Sequence, residues 1–307
     1  MSMEVFVLGT SGMQPLPGRC LTSAMVRRNG ELFLFDCGEG TQVSLKKLNL
    51  HWKKINSIFI SHMHADHVTG LPGMLMLSSQ VDRDDPLYIY GPEKLKDYID
   101  ANRKLLDMYI NYEIKIIPVE PGVIFEDEEM TVEAIPLLHT KPCFGFVMRE
   151  KDRAGEFSVE KAAALNVPCG PLWGRLQHGS DVVLHDGTVI HPRQVLGPVR
   201  HGVSFAYVTD TIYMGHIAQH VKKVDLLICE GMFTRELSQD AFEKKHMTST
   251  QAATIAHDAK VGKLGLTHYS PRYTDRELVR LQEEAQEVFA DTVLCRDRMS
   301  FTLTNSD

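Results

Sequence analysis

Short apolar runs, each closed by glycine or a polar residue, recur along the chain and predict buried strands. The first covers residues 4–9 and ends in the turn Gly9-Thr10-Ser11-Gly12, followed by a loop with Pro15, Pro17 and Gly18. Residues 22–28 and 31–36 flank Asn29-Gly30, a strong type I′ hairpin signal. The second of these strands ends at Asp36-Cys37-Gly38-Glu39-Gly40. A short amphipathic helix is expected at 40–47, a strand at 57–61, and a helix opening at Leu71-Pro72-Gly73, with the apolar residues at 68–77 in the core. Strands follow at 87–90, 113–119, 122–126, 130–137 and 143–149, with a helix at 92–107 between the first two.

The texture then changes. Residues 151–202 hold seven glycines and four prolines, and their hydrophobic periodicity is weak. This stretch reads as an inserted arm with a short helix at 158–165 and a hairpin around Asp186-Gly187. Six lysines and arginines there face five acids, a net of +1, so the rest of the chain carries −8 of the total −7. Long excursions of this kind are usually functional or disordered.

Core texture returns with strands at 203–208, 224–229 and 263–267. Helices are expected at 215–222, at 249–259 behind the capping box Thr248-x-x-Gln251, and at 275–288 behind Thr274-x-x-Glu277. Strands at 292–295 and 299–303 close a layered α/β pattern.

Composition narrows the class. With 307 residues, 43% hydrophobic and 24% charged, the chain supports a sizeable core. No apolar stretch reaches membrane-span length. The start Met1-Ser2-Met3-Glu4 has no basic region and leads directly into a strand, so no signal peptide is expected. Six scattered cysteines without a CxxC pair suit a reduced, cytoplasmic protein. A net charge of −7 means that nucleic-acid binding would need a local basic surface.

The densest chemistry is Ser61-His62-Met63-His64-Ala65-Asp66-His67, on an expected strand-to-helix turn. Four metal-capable side chains within six positions suit zinc or a similar divalent ion. Such residues recur at other predicted strand ends: His139, Asp210, Glu230 and His268. His62, His64, Asp66, His67, His139, Asp210 and His268 make seven ligands, too many for one tetrahedral zinc. Seven suit two metals sharing a bridging aspartate with a place left for water.

His-x-His-x-Asp-His with later His, Asp and His resembles the metallo-β-lactamase superfamily. Further segments are similar to its ribonuclease Z (tRNase Z) branch, in the short form. They are Leu8-Gly9-Thr10-Ser11-Gly12, Phe35-Asp36-Cys37-Gly38-Glu39-Gly40-Thr41-Gln42, Tyr90-Gly91-Pro92, Gly170-Pro171 and Thr267-His268-Tyr269-Ser270-Pro271-Arg272-Tyr273. The match spans nearly the whole chain.

The resemblance implies a four-layer αβ/βα sandwich formed by 1–150 and 203–307, with 151–202 as a protruding tRNA-binding arm. It implies one metal on His62, His64, His139 and Asp210 and another on Asp66, His67, Asp210 and His268. Two divalent ions per subunit are expected, zinc first, with manganese or iron as alternatives. Asp66 would orient or deprotonate the attacking water. His246 would protonate the leaving oxygen, with Glu230 orienting it. Arg272 would hold substrate phosphate. Lys161, Arg175, Arg193 and then Arg200 are the arm's expected contacts to precursor tRNA, in a homodimer.

The implied reaction is hydrolytic removal of the 3′ trailer, leaving a 3′-hydroxyl on the tRNA. Another phosphodiesterase or arylsulfatase of the superfamily, acting on small esters, is the alternative. A metal-free RNA-binding scaffold is disfavoured because all seven ligand positions are filled. Three departures from the family pattern stand out. Cys229-Glu230-Gly231-Met232 replaces His-Glu-Ala-Thr, and His246-Met247-Thr248 replaces His-Ser-Thr. Pro15-Leu16-Pro17-Gly18-Arg19-Cys20 lacks the Lys and Asn of Pro-x-Lys-x-Arg-Asn, which leaves open whether CCA-bearing precursors are cut or spared.

Overall fold

Period-two alternation of the early strands sets the layering, because successive side chains must face opposite ways. The computed structural model describes residues 2–80 and 83–304. In chain order the strands are β1 (Ser2–Gly9), β2 (Ser23–Arg28), β3 (Glu31–Phe35), β4 (Ile55–Phe59), β5 (Leu87–Gly91), β6 (Ile114–Pro118), β7 (Gly122–Glu126), β8 (Met130–Pro136), β9 (Phe144–Glu150), β10 (Val182–Val183), β11 (Val189–Ile190), β12 (Ser204–Val208), β13 (Leu226–Glu230), β14 (Leu264–Thr267), β15 (Thr292–Leu294) and β16 (Ser300–Thr304). The helices are α1 (Thr41–Lys47), α2 (Ala65–Val68), α3 (Leu71–Ser78), α4 (Lys94–Leu105), α5 (Val159–Ala164), α6 (Pro171–Gln177), α7 (Ile217–His220), α8 (Ser238–Glu243), α9 (Ser249–Ala259) and α10 (Leu278–Gln286).

Two seven-stranded sheets form, ordered β16-β1-β2-β3-β4-β5-β6 and β15-β14-β13-β12-β9-β8-β7. Val5 and Val7 of β1, Phe33 and Phe35 of β3, and Phe205 and Tyr207 of β12 fill the space between the sheets. Phe35 is central, with ring centroids 5.0 Å from Phe59, 5.3 Å from Phe205 and 5.9 Å from Phe146. Each such buried ring contributes about 1.5–3 kcal/mol. The alternate residues, Phe6, Leu8, Leu32 and Leu34, face outward and are covered by Leu45, Leu71, Met74 and Leu95 of α1, α3 and α4. On the other sheet Ala206 and Val208 pack under Ile217, Ala252, Ala256 and Leu281 of α7, α9 and α10. The result is an α/β sandwich of four layers, helix–sheet–sheet–helix.

Local signals behave physically. Asn29 and Gly30 both take positive φ, 49° and 84°, as a type I′ hairpin requires. Thr248 and Gln251 make both bonds of the capping box that opens α9. Only half of the second capping box forms: Glu277 Oε2 accepts from Thr274 N at 2.8 Å, but the Thr274 hydroxyl also donates to it at 2.8 Å instead of accepting from Glu277 N, and α10 starts at Leu278 rather than 275. The helix α8 lies between β13 and His246, where the sequence pattern predicted no element.

Glu150–Gly202 separates as a second compact unit. It holds α5, capped by Ser158 Oγ, and the hairpin of β10 and β11, whose turn has Gly187 at φ 85°. The helix α6 was not expected, because its Pro171 and Gly174 mask the periodicity, yet proline at a first turn is compatible with a helix. Ala162, Val167, Leu176, Val182, Ile190 and Val195 give this unit a core of its own. Among the described residues no helix is long and apolar enough to cross a membrane.

Candidate metal centre

The strands β3, β4 and β5 run parallel, as do β12, β13 and β14, so their carboxyl ends gather polar residues at sheet edges. His62 and His64 follow β4, His139 follows β8, Asp210 follows β12, Glu230 ends β13 and His268 follows β14. Asp66 and His67 lie on the single turn α2.

Asp210 divides its two oxygens between two sets of imidazoles. Oδ2 lies 3.6 Å from His62 Nε2 and 3.5 Å from His139 Nε2, and His139 Nε2 is 3.1 Å from His64 Nδ1. Oδ1 lies 3.4 Å from His67 Nε2 and 3.1 Å from His268 Nε2. Asp66 Oδ2 completes the second set, 3.3 Å from His268 and 3.7 Å from His67. The structure brings all seven expected ligands together: the donor atoms of His62, His64, His139 and Asp210 lie within 4.8 Å of one another, as do those of Asp66, His67 and His268, and those of Asp210, His268 and His246.

The donor set fits a divalent metal on two counts. First, the Nε2 atoms of His62 and His67 are buried without a hydrogen-bond partner, while their Nδ1 atoms are engaged. Buried polar atoms left unpaired call for a ligand. Second, the electrostatics ask for a cation. Burial, with His67 adding to it, holds the His62 imidazole well below its usual range, in the neutral ligand form. Burial opposes charge on Asp66 and Asp210 as well, but the neighbouring imidazoles keep both below the usual carboxylate range. Burial also opposes charge on His67, yet Asp210 and Asp36 raise it well above normal. A positive charge is what this buried pocket of carboxylates favours.

Orienting contacts run behind the ligands. Asp36 is fully buried at φ 54° and accepts from His67 Nδ1 at 2.7 Å, Ser61 N at 2.8 Å, Ser61 Oγ at 2.9 Å and Tyr207 Oη at 3.1 Å. Ser61 Oγ passes the network on to His62 Nδ1 at 3.0 Å. His139 Nδ1 donates to the Lys245 carbonyl at 2.9 Å, and the Met13 backbone N–H donates to Asp66 Oδ2 at 2.7 Å. Sequence reasoning noted Asp36 only as a polar strand end. Its signal was available: an acid closing an apolar strand must find buried donors.

Beside the cluster, Glu230 is fully buried and accepts from Thr211 N at 2.6 Å and Met247 N at 3.1 Å, leaving Oε2 3.2 Å from His246 Nδ1. Burial works against charge on His246, but Glu230 outweighs it and raises the imidazole to about 9. His246 stacks 5.4 Å from the His268 ring. Arg272 is exposed, its guanidinium 5.0 Å from the Phe233 ring centroid. Arg19 is turned inward, donating to the Tyr273 carbonyl at 2.7 Å, so it braces the loop that carries Arg272. Lys161, Arg175, Arg193 and Arg200 are exposed in the second unit on separate segments; Arg175 and Arg200 are partly engaged with the Asp181 and Ala154 carbonyls.

Comparison with known proteins agrees with this geometry. A β-lactamase superfamily domain model matches residues 191–269, and a model described as Anti-Pycsar protein Apyc1 matches residues 3–195. The metallo-β-lactamase fold protein YhfI of Bacillus subtilis superposes with a TM-score of 0.69 at 21% identity, over 98% of this chain and 100% of that one. Fold and site define a metal-binding hydrolase of the metallo-β-lactamase class. Ribonuclease Z of Treponema denticola is 59% identical over 100% of both chains, and that of Treponema pallidum (strain Nichols) 55% identical over 97% of both. Human tRNase Z, short form, superposes with a TM-score of 0.69 at 26% identity, covering 97% of this chain and 98% of that one. The chain belongs to the ribonuclease Z family, the tRNA 3′-processing endoribonucleases.

Proposed function

We propose that this chain hydrolyses precursor tRNA with two divalent cations, zinc by the donor set, one on His62, His64, His139 and Asp210 and one on Asp66, His67, Asp210 and His268. The observation that carries this reading is the division of the Asp210 oxygens between two imidazole sets with the Glu230–His246 pair alongside. The cations would lower the pKa of a water toward neutrality and neutralise phosphate charge.

The protein's own residues account for the proton movements. Asp66, held by the Met13 N–H, takes a proton from the attacking water. The water oxygen bonds to phosphorus and the bond from phosphorus to the 3′ oxygen breaks. His246, its Nδ1 held by Glu230, protonates that oxygen from Nε2. The tRNA keeps a 3′-hydroxyl and the trailer a 5′-phosphate. Arg272 offers its planar fork to the phosphate. Lys161, Arg175 and Arg193 of the second unit position the tRNA by backbone phosphates, and the chain acts as a cytoplasmic homodimer.

Replacing the leaving 3′ oxygen by sulfur tests the acid. The variant His246→Ala is expected to lose about 10²–10⁴-fold on the natural linkage and to recover most of that on the 3′-thio linkage, whose leaving group needs no proton. Equal losses on both linkages would remove His246 from this role. The alternative reading of the same cluster is hydrolysis of small phosphodiesters. It predicts bis(p-nitrophenyl) phosphate hydrolysis with no cutting of precursor tRNA.

A further inference from the structure

Phe233 is 1% exposed, yet two exposed cations face its ring. The Arg272 guanidinium carbon lies 5.0 Å from the ring centroid and the Lys244 ammonium nitrogen 5.6 Å from it. The two charges are therefore at most about 11 Å apart by the geometry of cation–ring contacts. Neither has an acidic partner within ion-pair distance among the described residues. Of the acids nearby in sequence, Glu230 is engaged with His246, Glu236 with Arg280, Glu243 with Gln239 and Asp275 with Arg19, while Asp240, one helical turn before Lys244, makes no ion pair with it.

Phe233 is itself fixed relative to the reacting groups. Its N–H donates to the Met247 carbonyl at 3.3 Å, its carbonyl accepts from Ser249 N at 2.9 Å, and its ring meets His246 edge-on at 6.2 Å. One buried ring thus joins two unneutralised cations to the candidate general acid. The ring attracts each cation while the two like charges repel, and an anion arriving between or across them offsets that repulsion.

We propose that Lys244 is a second phosphate contact for the substrate strand, on a phosphate adjoining the one Arg272 holds, and that Phe233 is the positioning residue for both. This rests on the ribonuclease reading and deepens it. Lys244 lies outside the seven ligands and the acid–histidine pair, so it touches phosphate without taking part in the proton transfers.

The test uses the full-length, metal-loaded chain, with wild type, Lys244→Ala and Lys244→Arg assayed on precursor tRNA and on bis(p-nitrophenyl) phosphate across a salt series. Lys244→Ala is expected to raise KM for precursor tRNA several-fold with kcat nearly unchanged. It should also reduce the slope of log(kcat/KM) against log[salt] by about 1. Lys244→Arg should restore most of both, and hydrolysis of the small diester should not change in either. Phe233→Leu, where it folds, should lower the slope further because both cations lose their seat. A Lys244→Ala protein with wild-type KM and salt slope on precursor tRNA overturns this proposal alone. A wild type that hydrolyses the small diester and never cuts precursor tRNA overturns the ribonuclease reading, and this proposal with it.

Discussion

Among the expected ligands Asp36 touches only His67 and reaches His62 only by way of Ser61, so changing it separates metal affinity from metal ligation. Its carboxylate accepts four buried donors at 2.7–3.1 Å. In Asp36→Asn the amide nitrogen meets at least one of those donors whichever way it turns. One unpaired buried donor costs about 1–3 kcal/mol of stability. The neutral amide also withdraws the charge that makes His67 a better ligand. Loss of such an outer partner typically weakens metal binding about 10–100-fold, equivalent to about 1.4–2.8 kcal/mol. The assay is competition for zinc between the protein and a chromophoric chelator, with thermal melts of the metal-free proteins alongside. Wild-type zinc affinity in an Asp36→Asn protein that melts lower refutes the reasoning, because Asp36 then supports only the fold.

Metal should stabilise the fold, since the buried cluster binds it only when assembled. Zinc at about 100-fold over its Kd adds about 2.7 kcal/mol, read as a rise in Tm that a chelator reverses; an unchanged Tm contradicts the site. Excision of residues 151–202 with a short linker should leave a folded body, because the second unit has its own core. That variant should keep hydrolysis of bis(p-nitrophenyl) phosphate and lose cleavage of precursor tRNA; retained cleavage removes the unit from substrate binding.

Much of the site was readable because chelating side chains closed apolar strands. His62, His139, Asp210 and His268 stood at boundaries where the alternating pattern stopped, and the fold collects such boundaries at sheet ends. Asp36 stood at the same kind of boundary and was passed over as an orienting residue, because nothing local shows that His67, Ser61 and Tyr207 converge on it from far along the chain. The second unit was recognisable as an insertion but its core was not: Val182 and Ile190 sit on two-residue strands too short to show a period. The cation pair on Phe233 could not be read at all, since Lys244 and Arg272 are 28 positions apart and meet only through a ring that looks like ordinary core. Thr274 shows the limit of motif reading, because the same Thr-x-x-Glu pattern can form a turn in which the hydroxyl donates.

The central claim is that the paired imidazole sets around Asp210 cut the 3′ trailer from precursor tRNA. Sequencing the 3′ ends left by the metal-loaded chain, beside His64→Ala and Asp66→Ala, tests it most directly. The account predicts a single 3′-hydroxyl end after the discriminator region from the wild type and almost none from either variant. Undiminished cleavage by the variants, or ends scattered along the substrate, would contradict it.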